Sequence, residues 1–211
     1  MSIIQPVRSR HDPGAGPAAH IAVVHPRVRA GRTPAGATTL ATVSSPPIST
    51  LIKLTNTPSD NFFAETLLKD LGARVGAGGT TPDGAAVVRA TIARRFDLRP
   101  RLVDGSGLSY VDRTSPAQVV SLLSQQRHDV PFRDSLAVLG RTGTLLYEDA
   151  GTYAAGRCRG KTGTLTGVTA LSGYCTARSG NVYTFSILMN GVNANSGRAI
   201  QDRMAIAIAG S

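Results

Sequence analysis

The sequence predicts an α+β fold: helices first, then an antiparallel sheet of three strands, then a covering helix. Three observations carry that reading. Up to about residue 130 the apolar residues recur every third or fourth position, and from residue 156 they alternate. "SGRAIQDRMAIAIAG", residues 196–210, then returns to the helical interval.

Each element has its own local reason. Pro46-Pro47 cannot lie inside a helix, so the helix carrying Leu51 and Ile52 starts just after them. Thr57-Pro58 breaks the chain again, and Ser59 or Asp60 supplies the capping oxygen for a helix with Phe63, Leu67 and Leu71 on one face. Gly72 is read as its end. Asp83 opens a further helix along Val88, Ile92 and Phe96. "RLVDGSGLSYVDRTSP" reads as a short strand and turns, and Ser115-Pro116 starts a helix with Val119, Leu122 and Leu123. Residues 131–139 read as a short helical turn. "GRCRGKTGTL", "VTALSGYCTA" and "VYTFSILMNGV" are the strands, separated at Thr166-Gly167 and Ser179-Gly180-Asn181. Ile200, Met204 and Ile208 align on the last helix.

Composition bounds the function classes. The chain has 211 residues, 41% of them hydrophobic, and a net charge of +10. Only three of its 23 basic residues are lysines: Lys53, Lys69 and Lys161. The arginines are dispersed, without the clustered charge and interleaved aromatics of a nucleic-acid binder, so no nucleic-acid partner is expected. No run approaches the ~18 apolar residues that a membrane helix needs. Residues 1–38 are rich in Pro, Gly, Ala and Arg without a period and read as a loosely attached arm; residues 39–211 read as the folded domain. The start shows no basic leader followed by a long apolar stretch, so no signal peptide is read there. His11, His20 and His25 lack metal-ligand spacing, and no metal or cofactor is expected.

A hairpin closed by a two-residue turn at Thr166-Gly167 sets Leu165 opposite Val168, Lys161 opposite Ser172 and Cys158 opposite Cys175. Opposed cysteines at such a position are close enough to bridge, and a Cys158–Cys175 disulfide is expected.

The chain also says nearly the same thing twice. Arg141-Thr142-Gly143-Thr144-Leu145 recurs as Lys161-Thr162-Gly163-Thr164-Leu165. The first copy sits in a glycine-containing stretch without alternation and reads as loop. The second lies on a strand fixed in register, and carries a rare lysine, whose ammonium can share and relay protons where arginine stays charged. The second copy is therefore read as the chemical one.

Ser59-Asp60-Asn61 at a helix start, followed by Lys161-Thr162-Gly163 on a strand, is the pattern of penicillin-recognising serine enzymes. With "SSPPISTLIKLTNTPSDNFFAETLL", "LVDGSGLS", "TSP", "GRTGTL" and "GKTGTL" in this order, the chain from about residue 40 to about residue 195 resembles the C-terminal half of the penicillin-binding protein 4 type of D-alanyl-D-alanine carboxypeptidase/endopeptidase, peptidase family S13. The resemblance implies part of a β-lactamase/transpeptidase-like fold, and a serine-type hydrolase that cuts D-Ala-D-Ala peptides of peptidoglycan through an acyl-enzyme and binds β-lactams. It implies that Ser59 passes protons while Lys161 holds that hydroxyl. It further implies that Asn61 bonds the substrate peptide group, that Thr162 and Thr164 take the terminal carboxylate, and that Gly163 admits the substrate backbone. An extracytoplasmic location in the cell envelope follows from the same resemblance.

One part of the family pattern is missing. Three residues before the lysines stand Thr50, Thr66 and Cys158, so no Ser-x-x-Lys exists in these residues. The expectation is a partial gene product that does not acylate on its own, because losing the nucleophile of a serine enzyme commonly costs about a millionfold in kcat. A non-catalytic module that binds peptidoglycan or a partner through the same groove is the other reading. In the superfamily the last strand pairs with N-terminal strands, so "VYTFSILMNG" is expected to keep an open edge.

Overall fold

The computed structural model describes residues 32–39 and 41–211. Most of the arm read at residues 1–38, with His11, His20 and His25, lies outside the described residues. Residues 46–211 form one compact unit. Of the chain before it, residues 32–39 and 41–45 are exposed and hold only a turn at Ala35-Gly36.

Among the described residues six α-helices and four strands follow one another in the order the α+β reading requires. Helix α1 is Ile48–Asn56, α2 is Asn61–Val75, α3 is Thr81–Phe96, α4 is Pro116–Gln125 and α5 is Val130–Ser135. Then come strands β1 (Ala137–Val138), β2 (Cys158–Leu165), β3 (Val168–Thr176) and β4 (Val182–Asn190), and helix α6 (Ala194–Gly210). The caps are conventional. Asp60 accepts from Phe63 N–H, Ser115 from Gln118 N–H, and Asp129 from Phe132 N–H.

Several expectations are corrected. The sheet has four strands rather than three, in the order β1-β2-β3-β4 and antiparallel throughout. Its fourth strand, Ala137–Val138, lies at the end of the stretch read as a helical turn at 131–139; two residues are too few to alternate visibly. Helix α2 runs past Gly72 to Val75. Gly72 is there for closeness instead: a Cβ would sit 2.5 Å from Gly78 O and 2.7 Å from Gly84 N, where α3 crosses. Helix α3 begins before Asp83, with Thr80 as its cap. On α6 the buried face is Gly197, Gln201, Ala205 and Ala209, while Ile200 and Met204 are exposed at 37% and 43%. Small residues win that face because the helix must lie close to the sheet.

The sheet is covered on both sides. Alternation along β3 sends Leu171 and Cys175 into a cluster with Phe185, Ile187, Ala205 and Ala209, under α6. Tyr174 points the other way, into Leu123, Leu136, Val119 and Phe132 of the α4–α5 side, and its hydroxyl donates to Leu123 O at 2.6 Å. The β2–β3 register pairs Cys158 with Cys175, Lys161 with Ser172 and Leu165 with Val168, around a turn whose Gly167 has φ of +75°. Strand β1 pairs only with Arg159 and Gly160. Among the described residues the outer edge of Lys161–Leu165 therefore has no strand beside it.

Candidate functional site

Two pieces of chain a hundred residues apart meet at that open edge. The turn joining α1 to α2 carries Ser59, held at φ of +61°. For a residue with a Cβ this left-handed conformation is uncommon and strained. The capping role, which Ser59 and Asp60 shared as candidates, falls to Asp60, whose carboxylate accepts from Phe63 N–H at 2.8 Å. Ser59 is thereby released to face the sheet, and Lys161 Nζ donates to its Oγ at 2.5 Å. A second bond from the same ammonium goes to Thr162 O at 2.7 Å.

Among the described residues Lys161 has no carboxylate partner. Its burial instead pushes the ammonium down from the usual 10.5 to about 8. Roughly a tenth of the lysine is then neutral at pH 7. A buried amine in contact with a hydroxyl can both donate a proton and take one back, as a relay must.

The cleft around this pair has a volume of about 780 Å³. Asn61 lines it at the first position of α2, Thr162, Gly163 and Thr164 line it from β2, and the turn at Gly105, Ser106 and Gly107 closes one side. That turn is a structural one: Asp104 accepts from Gly107 N–H at 2.7 Å and Ser109 N–H at 2.9 Å. The structure thus brings Ser59, Asn61, Lys161, Thr162, Gly163 and Thr164 to one cavity. Cys158 and Cys175 are joined by a disulfide, with their Cα atoms 4.0 Å apart, on the buried face of the hairpin away from the cleft. Among the described residues no cluster of His, Cys, Asp and Glu is arranged to hold a metal, and no helix is long and apolar enough to cross a membrane.

A model of the D-Ala-D-Ala carboxypeptidase 3 (S13) family matches residues 21–210. The chain belongs to the S13 family. Carboxypeptidase DacB of Mycolicibacterium smegmatis is 35% identical over 182 residues, covering 81% of this chain and 39% of that protein. The D-alanyl-D-alanine carboxypeptidase of an Actinomadura species is 36% identical over 162 residues, covering 72% of this chain and 30% of its own length. Penicillin binding protein 4 (dacB) from Haemophilus influenzae, solved in complex with a novel β-lactam, has a TM-score of 0.65 at 23% identity, over 76% of this chain and 40% of that one. This last likeness is one of fold. The S13 chain described here thus spans between 30 and 39% of the length of these curated relatives.

Sequence reasoning overlooked one side of the S13 cleft. Arg198, near the start of α6, donates from Nη2 to Thr164 Oγ1 at 3.2 Å. Asp202, one turn further on, also lines the cavity; burial, then Glu148 and Asp149, push its carboxyl up to about 6 against the opposing pull of Arg198. Neither residue belongs to a motif, and their approach to β2 follows only from how α6 crosses the sheet.

Proposed function

We propose that this chain is the substrate-gripping part of a serine-type D-Ala-D-Ala carboxypeptidase, working on peptidoglycan stem peptides in the cell envelope. The observation that carries the reading is the Lys161–Ser59 hydrogen bond at 2.5 Å, formed at the free edge of a strand. A stem peptide lies along Lys161–Leu165 as an added strand, giving main-chain hydrogen bonds at little cost in side-chain specificity. Gly163 has no side chain to hold it off. Its terminal carboxylate meets the hydroxyls of Thr162 and Thr164, with the Arg198 guanidinium beside Thr164 as a second positive charge. Asn61 offers donor and acceptor to the peptide group. Ser59 and Lys161 pass the proton to the leaving amine, and Thr164 N–H helps to hold the oxyanion.

The attacking serine is a separate matter. No Ser-x-x-Lys occurs in these 211 residues, and Thr50, at the matching distance from Lys53, lies on α1 beside a different groove. The chain as given therefore binds D-Ala-D-Ala peptides and does not acylate; that absence also favours the second reading, a non-catalytic binding module. Incubation with a fluorescent penicillin, read by denaturing gel and intact mass, is expected to leave no adduct. Titration with a diacyl-Lys-D-Ala-D-Ala peptide followed by NMR is expected to shift Thr162, Gly163 and Thr164, and not to do so in Lys161→Met. A stoichiometric penicillin adduct would overturn the non-acylating reading, and an unmoved spectrum the gripping one.

A further inference from the structure

The repeat that looked like an echo is in contact with both halves of the site. We infer that the first copy, Arg141–Leu145, holds the Ser59 turn against the Lys161 strand, with Gly143 and Thr144 as its positioning residues.

Gly143 lies against the backbone two residues before the serine. Its φ is +57°, and a Cβ there would sit 2.1 Å from Thr57 O and 2.8 Å from Thr57 Cγ2. Only glycine permits both the turn and the approach. Thr144 N–H then donates to that same Thr57 O at 3.2 Å. From the other end of the residue, Thr144 Oγ1 accepts from Thr162 Oγ1 at 2.8 Å. One residue thus bonds the Ser59 turn through its backbone and the strand position next to Lys161 through its side chain. The contacts close a ring: Lys161 to Ser59, Ser59 along the chain to Thr57, Thr57 to Thr144, Thr144 to Thr162, and back to Lys161.

The copy can serve as a fixed post because it is itself anchored. Thr142 Oγ1 accepts from Val138 N–H of β1 at 2.9 Å, Leu145 is buried at 3% exposure, and Gly140 N–H donates to Leu145 O at 2.9 Å. Thr57 is tied a second time, its hydroxyl donating to Ser135 O at 2.7 Å, and Asn56 Nδ2 donates to Ser135 Oγ at 2.8 Å. The left-handed backbone of Ser59 needs such restraint, since conformations of this kind persist only where their surroundings over-determine them. The two copies share a word and divide the work. Copy two is extended and carries the lysine, while copy one is curled into a 3-10 turn and sets where the serine stands.

The test reads the site rather than the fold. Competitive trace acetylation of the intact chain across pH 6–11, resolved by mass spectrometry, follows Lys161 with the exposed Lys53 and Lys69 as internal references. Thr144→Val, Thr144→Pro and Gly143→Ala are expected to let the serine turn drift and water reach the ammonium, moving the Lys161 inflection up by about one pH unit. Lys161 then reacts about fivefold more slowly at pH 8. Thr144→Ser keeps hydroxyl and N–H and is expected to restore the parent profile. Phe185→Leu, a core change under α6, is expected to lower Tm and leave the profile where it was. Thr144 is exposed, so Thr144→Val keeps the fold even if Gly143→Ala does not. An unmoved Lys161 profile in folded Thr144→Val and Thr144→Pro would overturn the inference, as would an equal shift in Phe185→Leu.

Discussion

Lys161 is the residue at which stability and chemistry pull apart. Folded, it holds its proton at about 8; unfolded, at about 10.5. Between those two values the unfolded chain binds more protons, so stability rises with pH across that window and the contribution is complete only above 10.5. Below pH 8 the buried ammonium opposes folding by roughly 3 kcal/mol, at 1.36 kcal/mol per pH unit. Lys161→Met removes that penalty and also loses the bonds to Ser59 and Thr162 O, each worth about 1 kcal/mol. The expected result is a net gain of about 1 kcal/mol at pH 7 that is gone near pH 9 and turns into a loss of about 2 kcal/mol by pH 10.5. Urea unfolding at several pH values measures it; a variant less stable than the parent at pH 7 would show that the two hydrogen bonds outweigh burial.

At the scale of elements the hairpin β2–β3 is the rigid member. Gly160 and Gly173 face each other across it, and a Cβ on Gly173 would stand 2.0 Å from Arg159 O and 2.7 Å from Gly160 Cα. These are backbone atoms of the strand that carries Lys161, so they cannot yield as a side-chain tip would. Gly173→Ala is expected to cost about 3 kcal/mol, the upper end of overpacking, seen as a Tm lower by roughly 6–12 °C in a chain of this size. This hairpin was legible in the sequence because alternation, a glycine turn and opposed cysteines all demanded one register. So was the helix carrying Asn61, through the Thr57-Pro58 break and the capping Asp60. Strand β1 was not, since two residues carry no period. The face of α6 was also hidden: hydrophobicity pointed to Ile200 and Met204, whereas close packing on the sheet selected Gly197, Ala205 and Ala209. Nor could a repeated pentapeptide announce that its first copy would curl. Gly143 and Thr144 matter through where Thr57 lies, and nothing local to "RTGTL" encodes that.

For the whole molecule the outstanding feature is β4. Among the described residues it pairs with β3 alone, along nine residues, with Val182 and Tyr183 exposed. An unpaired edge of that length is a template for another chain. Opposing this is the net charge of +10, whose repulsion between copies is screened over about 10 Å at 0.1 M salt and about 3 Å at 1 M. Self-association is therefore expected to grow with concentration and with salt in sedimentation velocity. Tyr183→Lys, which adds charge at the edge, is expected to suppress it. A monomer at every concentration and salt, with cooperative unfolding, would show that the edge is protected.

The bond between Cys158 and Cys175 has one more consequence, in the order of events during folding. A slip of one residue between β2 and β3 would set Cys158 opposite Tyr174 or Thr176 and send the two sulfurs to opposite faces of the sheet. A slip of two would leave them on one face but a full pleat apart. Oxidation can therefore join them readily only when the strands have met in the arrangement that also sets Lys161 opposite Ser172. The disulfide proofreads the pairing that presents the lysine, and once closed it keeps a covalent record that the pairing was found.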